Sequence, residues 1–211
     1  MELTKHTHAT VVLRDGDRSV LLDPGAYTPT SADLVAAADA VLITHDHPDH
    51  FDADVLSAAL DAQPGLRIWA PASVVDALGD HDGRVVAVSP GDTITAGGFE
   101  VRVFGGDHAV IHADVPPMTN VGFLVDGRVF HPGDSYTVPG VPVETLLVPT
   151  SGPWAKLGEL VDFVRAVQPT RAVQIHDLML SEIGKGSFAQ FAGQLTGVDL
   201  VTLADGETIT V

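Results

Sequence analysis

The feature that most constrains this chain is a cluster of metal-binding side chains at the end of a predicted buried strand. Residues 40–44 read Ala-Val-Leu-Ile-Thr, a mostly apolar run that is typical of a strand covered on both faces. Residues 45–50, which follow at once, read His-Asp-His-Pro-Asp-His. Because alternate strand residues project to the same side, His45 and His47 can chelate one ion. Asp49 and His50 lie a turn further along the chain and can reach a second ion.

The ligand types in this cluster narrow the choice of metal. Imidazole nitrogens and carboxylate oxygens suit Zn, Mn or Fe. The chain has no cysteine, which excludes disulfides, thiolate metal sites, iron–sulfur clusters and a cysteine nucleophile. The same absence argues against a closed, structural zinc site. The sequence therefore predicts divalent metal ions with nitrogen and oxygen ligands, with zinc as the first expectation.

Polar side chains that could join this cluster stand at the carboxyl ends of other predicted strands. They are Asp23, His108, Asp134 and His176. Loops that follow strand ends can converge, and side chains held by rigid elements form sites of defined geometry. We therefore expect these four residues to share a site with the 45–50 cluster.

The hydropathy pattern predicts an α/β (α+β) fold in one domain over residues 1–211. Strands are predicted at 10–13, 19–22, 40–44, 66–70, 84–88, 93–96, 99–104, 121–125, 128–131, 145–148, 171–175, 199–203 and 208–211. Helices are predicted at 31–38, capped by Ser31, and at 52–62, 72–78, 157–167 and 188–195, with a loop at 105–120 and a flexible turn at 183–187. Many short strands with a few helices indicate two mixed β-sheets packed on each other with helices on the outer faces, a four-layer αββα sandwich.

Charge and hydropathy limit the partners. Eleven basic and 28 acidic residues give a net charge of −17, which repels phosphate backbones and anionic membrane surfaces. The sequence contains no run of 18 apolar residues, and Met1 does not lead into the apolar stretch of a signal peptide. We expect a soluble, cytoplasmic protein with a small-molecule substrate and with no nucleic-acid or membrane partner. A homo-oligomer is left open.

The ordered motifs resemble those of the metallo-β-lactamase-fold hydrolase superfamily. The resemblance rests on the His-x-His-x-Asp-His pattern at 45–50, Leu-Leu-Asp-Pro-Gly at 21–25, His108 after a Gly-Gly turn, His-Pro-Gly-Asp-Ser at 131–135, and His176 before Asp177. It extends from 23 to 176, most of the chain. Within the superfamily the chain looks most like the small, single-domain branch that includes the ascorbate-phosphate lactonases.

The resemblance implies a dinuclear metal site with a defined set of ligands. The implied ligands are His45, His47 and His108 for one ion, Asp49, His50 and His176 for the other, and Asp134 as the bridge between them. Asp23 is implied as a residue that orients the cluster without binding a metal. A metal-binding histidine normally gives its other N–H to a carboxylate or carbonyl group, and Asp23 is placed to accept such a bond.

By the same resemblance, the implied site performs hydrolysis. Two ions about 3.5–4 Å apart share a hydroxide and lower the pKa of its parent water to about 7. This hydroxide attacks the carbonyl carbon or phosphorus of a small ester, lactone or phosphoester, with Asp49 and Asp134 as the catalytic carboxylates. Two divalent ions, offset by these carboxylates and the hydroxide, leave about one positive charge, so a small anionic substrate is acceptable.

Two other functional classes remain open. Di-iron oxidoreductases of the superfamily carry an acid at the position of His47, so His47 favours hydrolysis. Mononuclear-iron thiol or persulfide oxygenases keep most of the ligands and stay as an alternative, as does a non-catalytic metal-binding module. Ribonucleases of the superfamily grip RNA with a separate arm, for which this short, acidic chain has no room.

Further residues are candidates for contacts around the site, each against a simpler role. His8 precedes the first predicted strand and could stand at the rim of the site or on the surface. His112 lies four residues after His108 and would form a chelating pair with it on a helix. The glycines and prolines of this segment favour a loop, in which His112 would support the ligands or face solvent. Asn120, the only asparagine, could face the substrate or serve as a turn residue. Trp154 could wall the pocket or simply pack within its loop.

Overall fold

Two seven-stranded β-sheets form the centre of the computed structural model, which describes residues 1–211. The strands are β1 (Glu2–Lys5), β2 (Val11–Asp15), β3 (Arg18–Leu22), β4 (Val41–Leu42), β5 (Ile68–Ala70), β6 (Val85–Ala87), β7 (Thr93–Ala96), β8 (Phe99–Asp107), β9 (Thr119–Val125), β10 (Val129–His131), β11 (Thr145–Pro149), β12 (Arg171–Ile175), β13 (Leu200–Val201) and β14 (Glu207–Thr210). The helices are α1 (Ser31–Ala36), α2 (Ala53–Ala62), α3 (Ala72–Leu78), α4 (Leu157–Val167) and α5 (Glu182–Thr196). No helix combines the length and hydropathy that crossing a membrane requires.

Both sheets are mixed. The first sheet has the order β14-β1-β2-β3-β4-β5-β6, and the second has the order β13-β12-β11-β10-β9-β8-β7. In the first sheet β1, β2, β3 and β14 pair antiparallel, whereas β3 to β6 pair parallel. In the second sheet β7 to β10 pair antiparallel and β10 to β13 pair parallel.

Alternation along the strands determines which face meets which layer. On β3, Val20 and Leu22 belong to the largest apolar cluster, which fills the space between the two sheets. Leu21 between them points the other way, toward a cluster shared with α1, α2 and α3. On the second sheet Leu146 and Val148 face a third cluster, shared with α4 and α5. Because consecutive strand residues serve opposite faces, the apolar runs of the sequence bury both sides of each sheet, and the predicted four-layer αββα sandwich is confirmed.

The parallel strands bring the predicted ligands to one edge of the sandwich. In the second sheet β8, β10 and β12 all run in the same direction, so the residues that follow them emerge at the same edge. These residues are His108, Asp134 and His176. In the first sheet the 45–50 segment follows β4, which runs parallel to β3. The facing sheets therefore present two sets of loops to each other across this edge.

Some predicted boundaries were wrong, and each has a local cause. The predicted loop at 105–120 is shorter, because β8 and β9 continue to pair as far as Asp107 and Thr119. The turn predicted at 183–187 is part of α5, whose first turn is capped by the hydroxyl of Ser181 accepting from the amide of Gly184. Ser31 does not cap α1. Its hydroxyl donates to the carbonyl of Pro24 instead.

Strand β1 was not predicted at all. Its sequence, Glu-Leu-Thr-Lys, has a single apolar residue and no clear alternation. Leu3 is nevertheless fully buried between the sheets, and the strand is held on both sides by β2 and β14. The pairing of two neighbours therefore overrides a weak local preference.

Candidate metal centre

One group of four side chains gathers where the first and second sheets meet. The ligand atoms of His45, His47, His108 and Asp134 all lie within 4.8 Å of one another. His45 Nε2 is 3.0 Å from His47 Nδ1, and His108 Nε2 is 3.4 Å from Asp134 Oδ2. The group therefore joins the predicted ligands of the first ion to the predicted bridging residue.

A second group lies beside the first. The ligand atoms of His8, Asp49, His50 and His176 also lie within 4.8 Å of one another. Asp49 Oδ2 is 3.3 Å from His176 Nε2 and 3.8 Å from His50 Nε2. Three of these residues are the predicted ligands of the second ion, and His8 is an addition that the sequence placed only at a rim or on the surface.

Asp134 lies between the two groups and contacts both. Its Oδ1 is 3.1 Å from His50 Nε2, in the second group. Its Oδ2 is 3.0 Å from His176 Nε2 and 3.4 Å from His108 Nε2, so the same oxygen reaches both groups. This is the placement that a carboxylate needs if it is to touch two ions at once.

The unpaired atoms at this point fit a pair of cations. His50 Nε2, His108 Nε2, His176 Nε2 and Asp134 Oδ1 are buried and make no hydrogen bond, although they lie close together. A buried polar atom without a partner costs about 1–3 kcal/mol. Imidazole and carboxylate groups aimed at one point are the ligands that divalent zinc, manganese or iron accept. A pair of such ions would satisfy all four atoms, so we conclude that the donor set suits them.

In three of the ligand histidines, the nitrogen that does not face the centre has an oxygen partner. His50 Nδ1 lies 2.7 Å from Asp23 Oδ2, His108 Nδ1 2.6 Å from the carbonyl of Ala109, and His176 Nδ1 2.7 Å from the carbonyl of Ser151. An oxygen acceptor at Nδ1 fixes the proton there and leaves the lone pair on Nε2. In the neutral rings, the unpaired Nε2 atoms therefore carry the lone pair that can bind a metal.

Asp23 makes hydrogen bonds next to both groups of ligands. It is fully buried, and besides His50 it accepts from the backbone amide and the hydroxyl of Thr44. Since that hydroxyl donates to Asp23, it can accept from His45 Nδ1, 2.9 Å away. One carboxylate thus orients one histidine of each group. Thr44 is a residue that the sequence reasoning missed, although it stands directly before His45.

Burial and charge both influence the protonation of the ligands. Burial lowers the pKa of His45 well below its usual value, which favours the neutral ring. Burial is the largest single influence on His50 and His176 and opposes charge on both, but the nearby carboxylates together outweigh it and raise the pKa of both histidines. These carboxylates are Asp134 and Asp23 for His50, and Asp134 and Asp49 for His176. For Asp134 itself, burial is outweighed mainly by His50 and His176, and its pKa is well below the usual range. The carboxylates therefore create a field that favours positive charge at this point.

Backbone strain concentrates around the site. Asp23, His176 and His8 all have positive φ, at 49°, 50° and 64°, which is uncommon for residues other than glycine. Such conformations cost about 1–3 kcal/mol each and persist where the surrounding structure enforces them. Gly25 is required for a different reason, since a Cβ atom there would lie 2.0 Å from the carbonyl oxygen of Asp49.

Three of the residues proposed for contacts around the site are buried, and their hydrogen bonds show which groups they contact. They are Trp154, Asn120 and His8. Trp154 lies within the structure, and its Nε1–H donates to Asp134 Oδ2 at 3.2 Å. Asn120 is fully buried, where its Oδ1 accepts from the amide of Asp134 and its Nδ2 donates to the carbonyl of Pro132. The side chain of His8 has no exposed surface, and its Nε2 lies 3.0 Å from Asp49 Oδ2 in the second group.

His112 is the candidate that the structure does not bring to the centre. Its side chain is 68% exposed, and its charged neighbour is Asp114 at 3.4 Å. The loop that carries it nevertheless borders the site. Residues 107–118 enclose a cavity of about 400 Å³ that includes His108 and is walled mainly by apolar side chains, among them Val110, Ile111 and Met118.

The sequence of this chain is similar to a family model and to several known proteins. Residues 2–176 match a family model described as "Beta-lactamase superfamily domain". Protein Rv0786c of Mycobacterium tuberculosis is 34% identical over 215 residues, which cover 100% of both chains. UPF0173 protein PF0020 of Pyrococcus furiosus is 31% identical and covers 86% of this chain and 85% of its own. A relative from Aeropyrum pernix, named UPF0173 metal-dependent hydrolase, is 27% identical over 69% of this chain and 64% of its own.

A solved structure supports the same fold. Igni18, described as a novel metallo hydrolase from the hyperthermophilic archaeon Ignicoccus hospitalis, superposes with a TM-score of 0.76 over 99% of this chain and 97% of that one, at 16% identity. Since the family match covers most of the chain and the relative from Pyrococcus furiosus is 31% identical over 86% of it, this chain belongs to the β-lactamase superfamily and, within it, to the UPF0173 family.

Proposed function

We propose that this protein is a dinuclear metal-dependent hydrolase of small esters, lactones or phosphoesters. The observation that carries the proposal is the position of Asp134, whose two oxygens contact histidines of both four-residue groups. A mononuclear oxygenase needs only one such group. The name of the Aeropyrum pernix relative, a metal-dependent hydrolase, supports the same reaction class.

The two groups divide the binding of the ions between them. The residues that would hold them are His45, His47 and His108 for the first ion, Asp49, His50 and His176 for the second, and Asp134 for both. When bound, such a pair supplies a water of lowered pKa and a Lewis acid for the oxygen of the bond that is cleaved. Zinc is the first expectation, and manganese and iron have the same ligand preferences.

The residues of the chain prepare this centre before a substrate arrives. Asp23, Ala109 and Ser151 hold protons at the Nδ1 atoms of three ligand histidines and so keep their Nε2 lone pairs directed inward. Trp154 directs an N–H at Asp134 and fixes the rotation of its carboxylate. Because these partners are buried, little reorganisation is required during the reaction.

The cavity beside His108 supports a preference among the substrates. Its wall is mainly apolar, and no lysine or arginine lines it. A neutral ester or lactone with an apolar group fits such a wall better than a phosphodiester, whose charge only the ions would balance. We therefore place neutral carbonyl substrates first.

Elemental analysis of protein purified without added metal, followed by a matched substrate panel, tests the proposal. We expect two ions per chain and faster turnover of aryl esters and lactones than of an aryl phosphodiester with the same leaving group. One iron per chain with oxygen consumption on thiol substrates would favour the oxygenase instead. Full metal occupancy without turnover of any substrate class would favour a non-catalytic module.

A substitution at the bridging position tests the mechanism. Asp134→Ala should abolish turnover in a folded protein, and Asp76→Ala, which removes an exposed aspartate of α3, is the matched control. A metal-loaded Asp134→Ala protein with full activity would reject a two-ion mechanism.

A further inference from the structure

His8 belongs to the second group of four residues, but it is not one of the ligands that the sequence motifs predict. Its Nε2 lies 3.0 Å from Asp49 Oδ2, and its ring centroid lies 3.8 Å from that of His176. Its backbone carbonyl also accepts from the amide of His176 at 2.9 Å. One residue between β1 and β2 thus contacts two of the three predicted ligands of the second ion.

Distance alone would allow His8 to be a fourth ligand of that ion, since its ring nitrogen lies within 4.8 Å of the other ligand atoms. The contact at Nδ1, the other ring nitrogen of His8, argues against a role as a metal ligand. The backbone amide of Leu178 directs its N–H at His8 Nδ1, at 3.4 Å. An N–H can only donate, so Nδ1 must accept, and the proton of the neutral ring lies on Nε2.

We infer that His8 is a positioning residue, whose Nε2–H donates to Asp49 Oδ2 and fixes this carboxylate for the second ion. The inference rests on the proposed two-ion site and adds to it a residue that binds neither ion. A neutral N–H donor orients a ligand carboxylate without competing for the metal.

The backbone of His8 agrees with this role. Its φ of 64° lies in the left-handed region, and its side chain is completely buried. This conformation lets the carbonyl reach the amide of His176 while the ring reaches Asp49. The strain is therefore located where one residue must serve two ligands.

A pair of substitutions separates a donor from a ligand. His8→Phe keeps the ring and removes both nitrogens, whereas His8→Gln places an amide N–H near the position of Nε2. Chelator-treated wild-type and variant proteins are titrated with Co²⁺, and the ions per chain and their affinities are measured by elemental analysis and by the visible spectrum. His81→Phe, in the turn before β6 and far from both groups, is the control.

We expect His8→Phe to bind the first ion normally and the second about 10–100-fold more weakly, which is the usual effect of removing a partner of a metal ligand. His8→Gln should bind both ions nearly as the wild-type does. Wild-type affinity for the second ion in His8→Phe would overturn the inference. Equal loss in both variants, with a Co²⁺ spectrum that shows one nitrogen ligand fewer, would make His8 a ligand and also overturn it.

A measurement on the wild-type protein keeps the inference testable if His8→Phe does not fold. In the Zn²⁺-loaded protein, long-range ¹H–¹⁵N NMR spectra should show His8 with its proton on Nε2 and a bare Nδ1. A proton on Nδ1 and a zinc-bound Nε2 would overturn the inference. A wild-type chain that binds no divalent ion would instead remove the proposed function, and the role of His8 with it.

Discussion

The indole N–H of Trp154 donates to Asp134 Oδ2 across 3.2 Å. Trp154→Phe keeps most of the volume and loses this bond. We expect turnover to fall about 10-fold or more while two ions remain bound, because the carboxylate keeps its ligand atoms and loses its fixed orientation. Steady-state kinetics with parallel elemental analysis measure this. Unchanged turnover would show that packing alone fixes Asp134.

Asp23→Asn tests how the two groups are linked. Asparagine tolerates the positive φ of 49° at this position, so the backbone is preserved. The carboxylate accepts at both oxygens, from His50 Nδ1 and the hydroxyl of Thr44 at Oδ2 and from the backbone amide of Thr44 at Oδ1. An asparagine amide has one oxygen and one donor-only NH2, so it cannot accept at both positions. We therefore expect metal affinity to fall about 10–100-fold, as measured by competition with a chromogenic chelator. An affinity equal to that of the wild-type would contradict a role for Asp23 in orienting the ligands.

Gly25→Ala should damage the second group through the backbone. The added Cβ would lie 2.0 Å from the carbonyl oxygen of Asp49 and 2.5 Å from the amide of His50, so one of the two loops must move. We expect a loss of about 1–3 kcal/mol in the free energy of unfolding, and weaker binding of the second ion. Gly65→Ala is the control, because nothing lies within 4 Å of its added Cβ. Equal urea midpoints for the two variants would refute the argument.

The buried ion pair of Lys5 and Asp177 should matter far more than an exposed pair. Lys5 Nζ lies 3.1 Å from Asp177 Oδ1, and both side chains are 4% exposed. Lys5→Met should cost about 3 kcal/mol, the lower end of the usual range, because Lys185 still contacts Asp177 at 3.3 Å. Lys156→Met, which breaks the exposed pair with Glu159, should cost at most about 1 kcal/mol. Urea unfolding compares the two, and a difference near zero would contradict this assignment.

The sequence predicts most of the fold where the local pattern and the tertiary environment agree. The helices predicted at 72–78 and 157–167 have the observed bounds, as do the strands at 93–96 and 171–175. It fails where they disagree. The glycines at 184 and 186 disfavour a helix, yet α5 begins at Glu182, because Ser181 caps it and its later turns pack on the second sheet.

Side-chain direction limits what the sequence tells about the site. The sequence could group the ligands in advance, because hydropathy alone locates the ends of the strands that carry them. The contact of His8 with Asp49 spans 41 positions, and that of Trp154 with Asp134 spans 20, so neither follows from any local pattern. Asn120 shows the same limit, since only the geometry reveals that its amide holds the loop before Asp134.

The predicted ligands are divided between the two sheets, with His45, His47, Asp49 and His50 following a strand of the first and His108, Asp134 and His176 following strands of the second. Bound ions would therefore act as cross-links between the halves of the sandwich. By mass action, the melting temperature should then rise with the concentration of free metal. In a cell starved of metal, the chain would lose catalysis and resistance to proteolysis together, so that supply of the ion would set its abundance as well as its turnover.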